Sequence, residues 1–137
     1  MTRIVVDTNV YVLAAVFGGV PRQALQLASA QSCQFCISTP IFDEVRRVLL
    51  ERFEYSPERA DQWERRLRQS SRLVVPVETI VACSDRNDDI ILECAVAAKA
   101  KVIITGDKAL LRLDPFRGVR IVTPAQFLLD SAAAPYR

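Results

Sequence analysis

Short apolar and β-branched runs alternate with helical patterns along the whole of this 137-residue chain. The five runs that predict strands lie at residues 3–6, 34–38, 73–75, 102–105 and 120–122. Strands separated by helices run parallel, because each connection crosses over the sheet and returns the chain to the same edge. The sequence therefore predicts an α/β fold, a three-layer α/β/α sandwich with a central parallel sheet of four or five short strands, formed by a single domain of residues 1–137.

Helix start signals mark the connections between these strands. Thr39, Ser56 and Thr123 each precede a proline, which pairs an N-cap residue with proline at the first helical position. Asp85 or Asn87 caps a further helix, which ends near residue 99. The other helical patterns predict helices at residues 9–16, 21–32, 40–52, 57–69 and 108–111, and a last one from residue 124.

The chain contains no histidine. This absence excludes a Ser-His-Asp triad, a Cys-His nucleophile and an imidazole general base. It also excludes zinc, haem and non-haem iron sites that depend on histidine ligands. Any catalysis would therefore depend on carboxylates or on Arg, Lys, Ser, Thr, Tyr and Cys side chains.

The four cysteines do not form a metal-binding pattern. Cys33 and Cys36 make one C-x-x-C, but Cys83 and Cys94 are too far apart in the sequence to make a second one. We expect buried free thiols, which are typical of a reducing compartment.

The uncharged run at residues 8–20 is too short to cross a bilayer, so we expect a cytoplasmic protein with no membrane partner.

Two aspartates follow predicted strands. Asp7 comes directly after residues 4–6, and Asp107 follows residues 103–105 across Gly106, which permits a sharp turn. The carboxyl ends of parallel strands meet at one edge of the sheet, which is where ligands bind in open α/β folds. We therefore expect Asp7 and Asp107 to lie at the same edge.

Two further acids are predicted on helices that begin at this edge. Asp88 lies in a first helical turn, and the apolar residues at positions 91, 92 and 95 place it on the inward face. Glu44 lies early in the helix after the second strand. Clustered carboxylates repel each other unless a cation lies between them, and oxygen ligands favour Mg²⁺ or Mn²⁺. The sequence therefore predicts a divalent metal centre that activates water without histidine.

Structural roles compete with this interpretation at each position. An aspartate after a strand is often a turn or cap residue. Glu44 can pair with Arg46 or Arg47 on its own helix, and Asp85 or Asp89 can be the functional acid in place of Asp88. The joint placement of four acids is what favours a metal centre.

The basic residues are mostly arginine. Of 18 basic residues, 15 are arginine, and eight of these lie between Arg46 and Arg72. Arginine binds phosphate in a bidentate manner, so this segment could hold a polyanion, but ion pairs on a solvated helix face explain it equally well. Trp63 can stack on a base, although packing onto the core is the more common role of such a residue.

The same residues resemble those of the PIN-domain nucleases over residues 3–129. The resemblance rests on Asp7-Thr8-Asn9 after a strand, Glu44 within residues 41–49, Asp88 seven residues before Ala95, and Thr105-Gly106-Asp107-Lys108. The spacing to Ala95 identifies Asp88, over its two neighbouring aspartates, as the third acid of the family. Within that family, the chain is most similar to the VapC-like toxins of toxin–antitoxin systems.

The resemblance implies an enzyme that cleaves RNA with Mg²⁺ or Mn²⁺ held by three or four acids. The acids of this chain that match are Asp7, Glu44, Asp88 and Asp107. Asn9 and Thr105 would be polar residues that orient the carboxylates. The resemblance also implies a single-stranded RNA substrate, an antitoxin protein as a partner, and a homodimer.

Two other functions remain open. A PIN-like fold can serve as a non-catalytic RNA-binding or partner-binding module, although such a role does not need four clustered carboxylates. A phospho-receiver-like domain has a similar size and an acidic pocket, but it carries adjacent acids after its first strand, where this chain has a single Asp7 after Val6. Metal-dependent turnover on a nucleic acid distinguishes the enzyme from the binding module, and acetyl-phosphate labelling tests the phospho-receiver-like domain.

Overall fold

The structure is a computed structural model that describes residues 1–133. Residues 134–137, which the sequence analysis includes in the domain, lie outside the described residues. The strands are β1 (Arg3–Val6), β2 (Gln34–Ile37), β3 (Ser71–Leu73), β4 (Val102–Ile104) and β5 (Arg120–Val122). The helices are α1 (Thr8–Val16), α2 (Gly19–Ala30), α3 (Thr39–Arg52), α4 (Pro57–Ser70), α5 (Arg86–Ala98), α6 (Lys108–Leu111) and α7 (Pro124–Ala133).

The five strands form one parallel sheet in the order β3-β2-β1-β4-β5. β1 is central, with Ile4 opposite Phe35 of β2 on one side and Val102 of β4 on the other. Because β1 and β4 are parallel neighbours, their carboxyl ends lie side by side. The α/β fold with a central parallel sheet flanked by helices is confirmed.

The two central strands are apolar because both of their faces are covered. Ile4, Val5 and Val6 of β1 are fully buried, as are Ile103 and Ile104 of β4. Successive strand residues point to opposite faces, so the burial of consecutive residues means that neither face meets water. Helix α5 packs against β1 and β2, which places its first turn near the carboxyl ends of the central strands.

The third strand begins and ends two residues earlier than the sequence predicts. β3 pairs with β2, and the pairing stops with Leu73 opposite Ile37, the last residue of β2. Val74 N–H still donates to the Ile37 carbonyl at 2.9 Å, but Val75 is exposed and Pro76 has no N–H to donate. The length of the partner strand, which a local pattern does not contain, decides where β3 ends.

Helix α2 begins at Gly19 rather than at Pro21. Gly18 has a φ of 75°, in the left-handed region that glycine adopts without strain, and it separates α1 from α2. The Nε of Arg22 then donates to the carbonyl of Ala14 at 3.0 Å, which ties the two helices together. Pro21 lies within the first turn of α2 but does not begin the helix. Its missing N–H costs nothing there, because the N–H groups of a first turn have no partner within the helix.

The predicted caps are correct in three cases, including Thr123, whose hydroxyl accepts from the N–H of Gln126 at 3.0 Å, and displaced in one. Ser56 caps α4, and its hydroxyl accepts a hydrogen bond from the first turn. Asp85 rather than Asn87 caps α5, because Asp85 Oδ1 accepts from the N–H of Asn87 at 2.9 Å. The helix α3 begins at Thr39 with Ser38 at the N-cap position, one residue earlier than predicted.

Trp63 is a packing residue. Its ring makes edge contacts with Tyr11 of α1 and Phe42 of α3, at centroid distances of 6.1 and 6.2 Å. These contacts attach α4 to two other helices. The interpretation of Trp63 as a ring packed on the core is therefore confirmed.

All four cysteines are free thiols, as predicted. Cys33, Cys36 and Cys94 are buried, and Cys83 is partly exposed. Burial raises the pKa of Cys94 to about 12, so its thiol stays protonated at neutral pH.

Among residues 1–133, no helix is both long enough and apolar enough to cross a membrane.

Candidate active site

The carboxyl ends of β1 and β4 bring Asp7 and Thr105 together. Val6 of β1 lies opposite Ile104 of β4 in the parallel pair. Asp7, which follows Val6, and Thr105, which follows Ile104, are therefore neighbours. The Asp7 N–H donates to the Ile104 carbonyl at 2.9 Å, which extends the ladder by one hydrogen bond. This is the edge at which the sequence predicts two strand-end acids.

Thr105 connects Asp7 to Asp107 through its hydroxyl group. The hydroxyl donates to Oδ2 of Asp7 at 2.6 Å and accepts from the N–H of Asp107 at 2.9 Å. Thr105 is fully buried and Asp7 is 7% exposed, so this connection is shielded from water. These two hydrogen bonds are the ones that a residue orienting the carboxylates would make.

The two strand-end aspartates differ in what their oxygens do. Oδ1 of Asp107 accepts from the N–H groups of Ala109 at 2.8 Å and Leu110 at 3.3 Å, so Asp107 caps α6. Asp7 occupies the N-cap position of α1, but its side chain accepts no capping hydrogen bond from that helix. A capping role therefore accounts for one oxygen of Asp107 and does not account for the buried carboxylate of Asp7.

Asp88 is a third acid in the same region. It lies in the first turn of α5 and is 7% exposed, which agrees with the inward orientation predicted from its apolar neighbours. Burial, followed by the charges of Asp107, Asp7, Asp85 and Asp89, raises the pKa of Asp88 to about 6. These interactions show that Asp7, Asp88 and Asp107 share one electrostatic environment.

The pKa of Asp7 is also raised above its ordinary value. Burial is the largest cause and the charges of Asp107 and Asp85 add to it, whereas the hydrogen bonds from the Thr105 side chain and the Thr8 backbone stabilise the carboxylate and oppose them. The charged groups that perturb Asp7 and Asp88 are all carboxylates. A hard divalent cation would relieve this repulsion, and oxygen ligands suit such an ion.

The acids are nevertheless not drawn together into a complete coordination sphere. Within residues 1–133, no group of three acidic or cysteine side chains is close enough to hold a metal ion as it stands. Mutual repulsion keeps like charges apart when nothing lies between them. The donor chemistry thus fits a divalent ion, and a bound ion would have to bring the carboxylates closer.

Glu44, the fourth predicted acid, is paired with Arg47 on its own helix. Nη2 and Nε of Arg47 donate to the two carboxylate oxygens at 2.5 and 3.2 Å. Glu44 is not one of the charges that perturb Asp7 or Asp88. The ion-pair alternative therefore describes the observed contacts of Glu44, and its role as a metal ligand remains a prediction.

Asp85 is an exposed N-cap residue whose charge also acts on Asp7 and Asp88, and Asn9 has a different setting. The family resemblance favours Asp88 over Asp85, yet the charge of Asp85 raises the pKa of both Asp7 and Asp88 from the N-cap of α5. Three aspartates within residues 85–89 were the sequence signal for it. Asn9 is exposed beside an apolar cavity of about 270 Å³, and its role in orienting the carboxylates remains a prediction.

The arginine-rich segment is partly neutralised by ion pairs. Arg46, Arg47 and Arg68 each pair with a carboxylate of α3 or α4. Arg59 and Arg66 line an open cavity of about 720 Å³ between α1, α2 and α4. The solvated ion-pair interpretation accounts for Arg46, Arg47 and Arg68, whereas Arg59 and Arg66 place positive charge at the cavity.

Comparison with known proteins identifies a family and a fold. Residues 3–109 match the model of the PIN domain family. Among solved structures, the chain is similar to one in the crystal structure of VapBC2 from Rickettsia felis bound to a DNA fragment from their promoter, with a TM-score of 0.61 and 13% identity. That similarity covers 89% of this chain and 98% of the other, and at this identity it concerns the fold. No curated protein sequence matches the chain.

Proposed function

The chain belongs to the PIN domain family, and on this basis we propose that it is a Mg²⁺- or Mn²⁺-dependent endoribonuclease. Its substrate is single-stranded RNA, and the reaction is hydrolysis of a phosphodiester bond. The observation that carries the proposal is the buried Asp7 joined by Thr105 to Asp107, with Asp88 in the same electrostatic environment. The family match includes the positions of all four predicted acids.

Asp7, Asp88 and Asp107 are the residues that would hold the divalent ion, and Glu44 is the fourth candidate. A bound Mg²⁺ or Mn²⁺ would lower the pKa of a water molecule and neutralise charge on the phosphoryl oxygens, so no histidine is needed. Thr105 keeps Oδ2 of Asp7 in a fixed direction through its hydroxyl group. The burial of Asp7 and Asp88 keeps bulk water away from their carboxylates and strengthens their attraction to cations.

The RNA strand carries negative charge that arginine side chains can bind. Arg59 and Arg66 at the 720 Å³ cavity offer such charge, whereas Trp63 is engaged in packing. We assign the phosphate contacts to these two arginines rather than to Arg46, Arg47 or Arg68.

The biological role that we propose is the toxin component of a toxin–antitoxin system. The similar fold in VapBC2 of Rickettsia felis supports this role and an antitoxin protein as the partner. We further propose a homodimer, a single domain over residues 1–137 and a cytoplasmic location. The four free thiols support the location, because disulfides are rare in the reducing cytoplasm.

The variant Asp7→Asn tests the proposed chemistry. It preserves the size of the buried side chain but removes the charge that attracts the ion, so Mn²⁺-dependent cleavage of mixed single-stranded RNAs should fall by about 100-fold or more. Cleavage is measured with and without EDTA, and circular dichroism monitors the fold. Asp43→Asn is the matched control, because Asp43 is exposed on α3 and should be replaceable without loss. Wild-type rates in Asp7→Asn would contradict the proposal.

A non-catalytic module that binds RNA or a protein partner is the second candidate function. The incomplete convergence of the acids within residues 1–133 favours it. This function predicts that the wild type and Asp7→Asn bind RNA equally and that neither releases product with Mn²⁺ present. EDTA-sensitive product formation by the wild type would exclude it.

A further inference from the structure

Asp89 and Glu93 are two further buried acids on α5, and they do not contact the same part of the chain as Asp88 does. Asp89 and Glu93 lie about one helical turn apart and are 3% and 8% exposed. A buried carboxylate is costly unless its oxygens accept hydrogen bonds or meet a positive charge. Both acids meet this requirement by binding the irregular segment of residues 80–85 that precedes α5.

Asp89 accepts two backbone hydrogen bonds at a single oxygen. The N–H groups of Ala82 and Cys83 donate to Oδ1 at 3.0 and 2.8 Å. Glu93 holds the start of the same segment, because its Oε2 accepts from the N–H of Ile80 at 2.9 Å. Side chains of α5, rather than a β-ladder, therefore attach this segment to the helix.

The attached segment leads directly into the candidate metal site. It ends at Asp85, the N-cap of α5, whose charge acts on Asp7 and Asp88. Asp88 precedes Asp89 in the same helical turn. A displacement of residues 82–85 would therefore move Asp85 and the start of α5, and with it the distance from Asp88 to Asp7.

We propose that Asp89 is a positioning residue for the metal site. Its carboxylate fixes residues 82–85 against the first turn of α5 and so limits how far Asp85 and Asp88 lie from Asp7. The inference rests on the proposed function, since these acids are the ones that would hold the divalent ion. Because its hydrogen bonds come from backbone N–H groups, we expect the acceptor at this position to matter more than the charge of Asp89, which also acts on Asp88.

The variants Asp89→Ala and Asp89→Asn separate these two requirements. Both backbone donors use one oxygen, so the amide oxygen of asparagine can accept both hydrogen bonds, whereas alanine accepts neither. We expect Asp89→Ala to weaken Mn²⁺ binding by about 10- to 100-fold, as loss of a residue that orients ligands does. Asp89→Asn should restore most of that affinity. Titration calorimetry measures the affinity, and the Mn²⁺ concentration for half-maximal RNA cleavage gives a second value.

Backbone exchange and a matched control exclude a general loss of stability. Hydrogen exchange at the amides of Ala82 and Cys83 should be slow in the wild type and Asp89→Asn, and fast in Asp89→Ala. Asp114→Ala is the control, because Oδ1 of Asp114 also accepts a backbone hydrogen bond, from Ile121 at 2.8 Å. It should lower the melting temperature and leave the Mn²⁺ affinity unchanged.

Equal weakening of Mn²⁺ binding in Asp89→Asn and Asp89→Ala would overturn the inference, because the charge would then be what matters. Unchanged affinity in Asp89→Ala would overturn it as well. If Asp89→Ala does not fold, Asp89→Asn decides: an affinity near that of the wild type supports the inference, and a weakened one overturns it. A wild type that neither binds Mn²⁺ nor cleaves RNA contradicts the proposed function itself, whereas failure of the inference alone leaves wild-type binding and cleavage intact.

Discussion

The two partners of the Thr105 hydroxyl group determine which hydrogen bond it donates and which it accepts. The backbone N–H of Asp107 can only donate, so the hydroxyl oxygen must accept from it and its single proton must go to Asp7. Oδ2 of Asp7 is thereby kept as an acceptor, which favours the ionised carboxylate that a cation needs. One residue thus fixes the geometry of two acids that are far apart in the sequence.

Replacing this hydroxyl group tests its importance. Thr105→Val has nearly the same shape and removes both hydrogen bonds, so we expect Mn²⁺-dependent cleavage to fall by about 10- to 100-fold. Thr2→Val is a matched control, because Thr2 is also buried and its hydroxyl has no hydrogen-bond partner among residues 1–133. Initial rates for both variants decide the question, and equal rates would contradict a special role for Thr105.

At the scale of the element, α5 carries acids for two different purposes. Asp85 and Asp88 lie at its N-terminal end, where the helix dipole partly offsets the cost of their negative charge. Glu93 lies further along and is neutralised differently, by Arg86, whose guanidinium donates to both of its oxygens. The charges of the first pair act on the candidate metal site, and Glu93 stabilises the fold.

The ion pair of Glu93 predicts a pH-dependent contribution to stability. The Arg86 hydrogen bonds lower the pKa of Glu93 below its ordinary value of 4.5. The ionised form is therefore favoured in the folded protein, so its contribution is complete above pH 4.5 and is lost as the pH falls through the folded-state pKa. We expect Glu93→Gln to cost about 1–2 kcal/mol at pH 7, a value reduced by the exposure of Arg86.

Urea unfolding of the wild type and Glu93→Gln at pH 7 and pH 4 measures this contribution. The difference between the two proteins should shrink at pH 4. Glu51→Gln is the control, because the Glu51–Arg47 pair lies on the surface and should contribute little. A difference for Glu93→Gln that does not change with pH would mean that packing, rather than charge, is responsible.

For the molecule as a whole, the clustered aspartates make metal binding a source of stability. Mn²⁺ at a hundredfold its dissociation constant should add about 2.7 kcal/mol, which corresponds to about 9 °C in Tm for a domain of this size. Asp88→Asn should remove this increase without lowering the Tm of the metal-free protein, because it reduces the repulsion around Asp7 and Asp107. Thermal scans with Mn²⁺ and with EDTA test both statements, and Asp43→Asn should retain the increase. A Tm that is insensitive to Mn²⁺ would argue against a metal site.

A single domain should unfold in a single transition. Trp63 is the only tryptophan of the chain, and its contacts with Tyr11 and Phe42 make its fluorescence a probe of the packing between α1, α3 and α4. We expect its denaturation curve to coincide with that of far-ultraviolet circular dichroism. Two separate midpoints would show that residues 1–137 contain more than one unit.

Local patterns in the sequence were sufficient to predict the alternation of strands and helices and the central sheet. Fully apolar runs such as β1 and β4 must be buried on both faces, and only a parallel sheet covered by helices does this. Local patterns could not place the end of β3, which depends on the length of β2. They also could not distinguish Ser38 from Thr39 as a cap, because both residue types fit that position.

The sequence by itself determined the fold class, the family resemblance and the presence of Asp7 and Asp107 at the edge where parallel strands end. Tertiary structure alone decided which side chains interact there, because hydrogen bonds and ion pairs depend on orientation in space. It joined Asp7 to Asp107 through Thr105 and paired Glu44 with Arg47. Sequence spacing fixes which face of an element a residue occupies, but only the packed chain determines which partner its side chain reaches.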